Sequence, residues 1–331
     1  MLIDLFDNVF SAKFEKSIKI GLEMEVYVID MESKTLNNDD ELTRDIYTCF
    51  DERVFRDYYP YQLEIRTSPH EDPKEVYNEF INLFEEANRV AKDHGYKLVP
   101  VSYLDNAMYC GMHVHVSYKP YFSKKELVKT IVASYPFMLD IARLSLSSPT
   151  HTDRNGLIYS KRIYDSIHVA TPPISYTFDR LVDLWTDIDN SSRRYYDIIL
   201  NTNRRYRRYR IKDVDTIEIR IFDSVGDKKA LYDILNLTYN VFKYINNNWI
   251  QIYRKTAESR TALYRSLSAI RYLMLLPKEY INPLTGTNAQ SLAEFFRIPL
   301  SRWDTWITYW IFDLDIFSRV SYQTNINYLI S

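Results

Sequence analysis

Ile18-Lys19-Ile20-Gly21-Leu22-Glu23-Met24-Glu25-Val26-Tyr27-Val28 alternates without a break, with Ile18, Ile20, Leu22, Met24, Val26 and Val28 on one parity and Lys19, Gly21, Glu23, Glu25 and Tyr27 on the other. A period of two over eleven residues is a strand with one face packed and one face open. The open face carries two glutamates separated by one residue, roughly 6.6 to 7 Å apart along a strand. The same pattern returns at Tyr61 to Thr67, where Tyr61, Leu63 and Ile65 oppose Gln62, Glu64 and Arg66. It returns again at Met112, Val114 and Val116 against His113, His115 and Ser117, and at Ile217, Ile219 and Ile221 against Glu218, Arg220 and Phe222. A short strand is also expected near Lys97 to Ser102.

Between these strands, Asp72-Pro73-Lys74-Glu75 reads as an N-cap, a proline at the first helical position and a reciprocating glutamate. It opens a helix to about Asp93 that stops at Gly95. Ser123-Lys124-Lys125-Glu126 predicts a second helix toward Ser145, kinked at Pro136, and a third is expected over Asp179 to Ile188. Ser147 to Pro173 has no period and reads as a long ordered loop or lid. Everything after Asp227 reads as helical. No internal repeat, low-complexity tract or separating linker interrupts the chain, so 1–331 is expected to be a single domain, with core motifs over 18–223 and a helical portion over 227–331. Strands interleaved with helices, without a glycine-rich strand-to-helix turn, point to α+β and away from a doubly wound parallel sheet.

Composition narrows the function. Forty-six per cent of the 331 residues are hydrophobic, enough for a sizeable core, and the formal net charge is only −2. No global basic field makes nucleic acid or anionic membrane the expected partner. Two cysteines, Cys49 and Cys110, supply neither a disulfide framework nor a zinc knuckle, which fits a reducing, cytoplasmic setting. The acids in Met1-Leu2-Ile3-Asp4-Leu5-Phe6-Asp7 do not suit a secretory signal. Trp306 to Phe317, broken by Asp313 and Asp315, is too short for the roughly 20 residues of a membrane span. Twenty-nine tyrosines are read as core and surface filler.

Any one polar strand face is ordinarily just solvated. Four faces bearing Glu23, Glu25, Glu64, Arg66, His113, His115, Glu218 and Arg220, with hardly a lysine or threonine among them, are not ordinary filler. Clustered carboxylates repel unless a cation joins them, and hard oxygen ligands with an imidazole suit Mg²⁺ or Mn²⁺ better than zinc. An arginine two residues from a carboxylate offers a planar fork to a phosphate beside the metal. The set reads as a metal-nucleotide site. Arg204 to Lys212, with Arg207 and Arg208 among its arginines, could bind a triphosphate, track a nucleic-acid backbone, or guard a strand edge by charge.

These segments resemble a known family. Gly21-Leu22-Glu23-Met24-Glu25 resembles the Gly-x-Glu-x-Glu strand of the glutamine synthetase and glutamate-cysteine ligase superfamily, and Gln62-Leu63-Glu64 its Gln-x-Glu strand. Gly111-Met112-His113-Val114-His115 is similar to its Gly-Met-His-x-His segment, and Glu218-Ile219-Arg220 to its Glu-x-Arg strand. Ser147-Ser148-Pro149, Gly156, Ser160 and Arg162 resemble the substrate loop of the carboxylate-amine ligase branch. The resemblance covers about Lys19 to Asp223. It implies a curved antiparallel sheet forming a funnel, as in the glutamine synthetase catalytic domain, with helices on its outer face. The implied activity is an ATP-dependent ligase that joins a carboxylate to an amine through an acyl phosphate, with Mg²⁺ or Mn²⁺ as cofactor.

The resemblance further implies Glu23, His113 and Glu218 as ligands of one metal, and Glu25 and Glu64 as ligands of a second. Arg220 stands for the arginine at the transferring phosphate, with Glu64 and Glu218 beside it in catalysis and Arg207 and Arg208 toward ATP. Arg66, His115, Ser148 and Arg162 stand for substrate contacts. Glutamate with cysteine is the leading substrate pair, and self-association is left open. Two departures stand out: Arg56 occupies a position where glutamine synthetases carry a further glutamate, and Asp153-Arg154-Asn155-Gly156 replaces the branch's Asp-Thr-Gly. A guanidino-type phosphotransferase and a non-catalytic nucleotide- or nucleic-acid-binding protein are the competing readings.

Overall fold

The computed structural model describes residues 18–38, 52–104, 107–117 and 216–258, the segments 140–145, 151–152, 158–159, 200–202 and 289–297, and scattered positions between 42 and 162. The centre is strand β1 (Ile20–Asp30), whose unbroken alternation makes it long enough to serve three partners. One edge pairs with β3 (Gln62–Arg66), which continues to β2 (Val54–Arg56). The other edge is shared: Ile20 to Met24 pair with β5 (Gly111–Ser117), and Tyr27 to Asp30 with β4 (Tyr96–Val99). Beyond β5 come β9 (Thr216–Asp223) and then β8 (Leu200–Thr202), which completes a seven-stranded, open antiparallel sheet of order β2-β3-β1-β5-β9-β8 with β4 beside β1. A separate short hairpin joins β6 (His151–Thr152) to β7 (Ile158–Tyr159).

The four alternating segments are therefore adjacent strands of one sheet. β2 and β8 were not legible as strands, and the hairpin lies inside the stretch read as aperiodic. The helix expected over 179–188 and the basic stretch 204–212 lie outside the described residues, as does most of the helix expected from Ser123.

Helix α1 (Pro73–Asp93) starts where the sequence predicts, with Asp72 as N-cap accepting from the Lys74 N–H, and the chain leaves it through Gly95 at φ +83°. Its buried stripe, Val76, Phe80, Leu83, Phe84, Ala87 and Ala91, recurs at helical spacing. Helix α2 (Lys228–Glu258) is capped by Asp227, whose Oδ1 accepts from the Lys229 and Ala230 N–H groups. A short α3 (Ala289–Phe295) follows, and Phe295 stacks edge-on against Tyr244 of α2. The even parity of β1, Leu63 and Ile65 of β3, Met112, Val114 and Val116 of β5, and Ile217, Ile219 and Ile221 of β9 join the stripes of α1 and α2 in one core.

Burying that core against helices on one side leaves the odd parity of β1 on the other. A second, small cluster of Tyr27, Ile29, Val99, Val101, Leu104 and Cys110 closes one end of that second face. Among the described residues no helix is long and apolar enough to cross a membrane.

Candidate metal-nucleotide site

Register decides which side chains meet. Glu23 lies between Arg66 on β3 and His113 on β5, Glu25 lies opposite Glu64, and His115 opposite Glu218. Cross-strand neighbours on one face stand about 4.5 to 5.5 Å apart at Cβ, so these residues converge without help from any loop. Glu64, His113 and Glu218 are almost fully buried, with relative exposures of 6%, 3% and 1%. Glu23, Glu25 and His115 are half-buried.

Two trios of potential ligand atoms result: Glu23, His115 and Glu218 in one, Glu25, Asp57 and Glu64 in the other, the atoms of each lying within 4.8 Å of one another. His113 stands between them. Its Nδ1 is 3.6 Å from both Glu23 Oε2 and Glu218 Oε1, and its Nε2 is 3.9 Å from Glu25 Oε1. His115 thus converges with Glu23 and Glu218, and His113, the ligand that the motif resemblance implies, stands beside the same two carboxylates. Asp57 was missed altogether. It follows the three-residue β2, and its N–H donates to the Gln62 carbonyl across the hairpin. The only signal for it was its place one residue beyond Arg56, where a further carboxylate was expected.

Two arginines flank the carboxylates. Arg66 Nε lies 2.5 Å from Glu64 Oε1 and 3.0 Å from Glu23 Oε1, with its guanidinium 4.1 Å above the Phe55 ring. Arg220 is ion-paired to Glu218 through Nη1. Glu25 Oε2 accepts the Gly111 N–H at 2.7 Å.

The electrostatics of the trios differ. Burial pushes Glu23 up, but His115, His113 and Arg66 outweigh it and hold the carboxyl well below its usual range. Burial likewise pushes His115 down, yet Glu23 and Glu218 hold it above the ordinary histidine value. Glu64 is driven well above the carboxylate range by burial and then by Glu23, with Arg66 opposing. Asp57 is raised by burial and Glu25.

A divalent cation fits this donor set. Carboxylates held up by burial and mutual repulsion are relieved by one, and the buried His115 Nε2 makes no well-formed hydrogen bond although Glu23 Oε2 is 3.2 Å away.

Of the sequence-derived candidates, Glu23, Glu25, Glu64, Arg66, His113, His115, Glu218 and Arg220 come together on this face. Arg162 does not present its guanidinium there in the same way. It is buried against β9, donating to the carbonyls of Arg220 and Phe222. Ser148, Arg207 and Arg208 lie outside the described residues.

No protein-family profile matches the sequence, and no curated protein matches it. Solved structures do. A bifunctional glutathione synthetase from Pasteurella multocida superposes with a TM-score of 0.52 at 13% identity, covering 96% of this chain and 52% of that one. The likeness is one of fold. The chain spans about half the length of that protein. The ligase PafA in complex with the ubiquitin-like protein Pup (TM-score 0.45, 14% identity, 86% of this chain and 63% of that one) is too distant to add to it. So is a GmaS/ADP complex (0.45, 10%, 92% and 75%).

Proposed function

We propose that the chain is an ATP-dependent carbon-nitrogen ligase that activates a carboxylate as its acyl phosphate and transfers it to an amine. The observation that carries this reading is the convergence of two ligand trios on one sheet face, with His113 between them and Arg66 and Arg220 at their flanks. The shared fold with a bifunctional glutathione synthetase supports it.

A carboxylate oxygen is a poor leaving group, and phosphorylation converts it into a good one. Phosphoryl transfer asks the protein mainly for positioning and for compensation of charge on the phosphate oxygens. One Mg²⁺ or Mn²⁺ held by Glu23, His115 and Glu218, and a second by Glu25, Asp57 and Glu64, would supply positive charge to those oxygens. Arg220, ion-paired to Glu218, would then offer its guanidinium to the transferring phosphoryl group. Arg66, tied to Glu23 and Glu64, would meet the carboxylate substrate. His113 stands between the two trios, with one ring nitrogen toward Glu23 and Glu218 and the other toward Glu25. A sheet curved as the motif resemblance implies would make this face a funnel that excludes water from the acyl phosphate. Residues 1–331 are read as one catalytic domain. Glutamate with cysteine is the pair that the motif resemblance implies, and the unpaired thiols of Cys49 and Cys110 suit a reducing compartment.

Trapping tests the reading directly. Purified chain with ATP, Mg²⁺ and glutamate or another carboxylate, quenched with hydroxylamine, should yield a hydroxamate with matching ADP. Glu218→Gln should reduce it by at least about a hundredfold, since it removes a ligand and the partner of Arg220 together. Tight Mg²⁺-ATP binding without hydroxamate from any acid would favour a phosphotransferase instead.

A further inference from the structure

The pairing of β5 with β9 is not continuous. His115 opposes Glu218 and Val114 opposes Ile219, but Met112 opposes Phe222 and Gly111 opposes Asp223. One extra residue is therefore inserted in β9, and Arg220 with Ile221 together face His113 of β5. Such a bulge leaves backbone groups without ladder partners and re-aims the side chain it carries. Here that side chain is Arg220.

The bulged stretch is gripped from outside the sheet. Arg162 Nη2 donates to the Arg220 carbonyl at 2.6 Å, and Nη1 donates to the Phe222 carbonyl at 3.0 Å and reaches the Ile221 carbonyl at 3.4 Å. The same Nη1 lies 3.7 Å from Asp223 Oδ1, whose side chain is fully buried. Three successive carbonyls of the bulged stretch thus converge on one guanidinium, whose planar fork supplies several donors at fixed angles. Gly111 provides the room: a Cβ there would stand 2.5 Å from Arg162 Nη2 and 2.9 Å from Cζ. A glycine at the start of β5 and an arginine 51 positions later are therefore parts of one device.

We propose that Arg162 is a positioning residue that holds the bulge of β9 and so aims Arg220 across the face, and that it is not the clamp for a substrate carboxylate. The proposal rests on the ligase reading only for the task given to Arg220; the clasp on β9 stands apart from it. A lysine at 162 could satisfy one carbonyl but not three, because an ammonium lacks the fork.

The test uses the full chain with Arg162→Lys, Arg162→Met, Gly111→Ala and Arg220→Met, and the double variant Arg162→Met/Arg220→Met. Amide hydrogen exchange is followed through 216–223 and, as an internal control, through 73–93. Mg²⁺-ADP is the binding probe. Arg162→Met and Gly111→Ala should each speed exchange at 220–222 about tenfold or more while exchange in 73–93 is unchanged, as expected for losing charge-assisted bonds at one place. Both should weaken Mg²⁺-ADP about tenfold, and adding Arg162→Met to Arg220→Met should weaken it no further.

Unchanged exchange at 220–222 in Gly111→Ala and Arg162→Lys would overturn the proposal even if Arg162→Met fails to fold. Additive losses in the double variant would also overturn it, because Arg162 would then act independently of Arg220. So would a rise confined to the KM of the acid, which marks a clamp. A wild-type chain that neither binds Mg²⁺-ADP nor forms hydroxamate would sink the ligase reading, while the exchange data would still judge the clasp.

Discussion

The two ligand trios occupy the same sheet face and share Arg66 and His113, yet they are electrostatically opposite. Glu23, His115 and Glu218 carry their own compensation: an imidazole belongs to the trio, and Arg66 and Arg220 press on its carboxylates. Glu25, Asp57 and Glu64 are three carboxylates with Arg66 at one corner. Burial pushes all three carboxyls up, yet Asp57 and Glu64 lie above the usual carboxylate range while Glu23 lies well below it. What separates them is the sign of the neighbours and not the depth. The first trio is a preformed polar network, and the second has no cationic member of its own.

The largest consequence concerns Asp57. Removing its charge with Asp57→Asn should weaken the second of two Mn²⁺ binding events by about a hundredfold and leave the first within about threefold, as expected for one of three ligands. Titration with Mn²⁺ followed by electron paramagnetic resonance counts both events. Equal weakening of both would erase the distinction between the trios.

Protons compete with the cation differently in the two places. His115 is held above the ordinary histidine value, so it stays protonated to higher pH and must lose that proton before Nε2 can bind metal. First-site Mn²⁺ affinity should therefore fall about tenfold for each pH unit below the raised histidine value. In His115→Gln that imidazole step should vanish. The second-site dependence, set by Glu64 and Asp57, should persist in this variant. A pH profile unaltered by His115→Gln would remove the imidazole from the first site.

Much of this arrangement is legible in the sequence, because it is local or periodic. Asp72-Pro73 and Gly95 bound α1 by capping chemistry within a few residues, and alternation alone puts Glu23, Glu25, Glu64, His113, His115, Glu218 and Arg220 on polar strand faces. What escapes depends on pairing between distant strands. Asp57 joins Glu25 only because β2 and β3 form a hairpin that sits beside β1, and nothing in Asp57-Tyr58-Tyr59-Pro60 marks that. The place of His115 beside Glu23 and Glu218 has a similar origin. His115 is held opposite Glu218 by regular pairing, whereas His113 falls at the β9 bulge, and a bulge has no signature in either strand alone. Arg162 is recognisable as a residue of interest, but its partners lie 58 to 60 positions away in the chain.

The smallest effect expected is on stability without cation, and its sign is the informative part. Glu23 has a folded-state pKa below its unfolded value, near 4.3 for a free glutamate, so its charge stabilises the fold at all pH above that value and the contribution is lost as pH falls through the folded pKa. Glu64 has a folded pKa above its unfolded value, so ionising it costs stability, progressively as pH rises above the unfolded pKa. At neutral pH in excess chelator, Glu23→Gln should lower stability by about 2 kcal/mol, because His115 and Arg66 lose an anion. Glu64→Gln should raise it by on the order of 1 kcal/mol, since the amide oxygen still accepts from Arg66 Nε while the repulsion by Glu23 and Glu25 is gone. Denaturant unfolding at pH 7 and pH 4 measures both. The gain in Glu64→Gln should shrink at pH 4, where the wild-type carboxyl carries its proton, and Mn²⁺ should reverse its sign at pH 7 because a carboxylate ligates it more strongly than a neutral amide oxygen does. If both variants shift stability the same way at pH 7, the trios are not electrostatic opposites, and one common site would have to replace two.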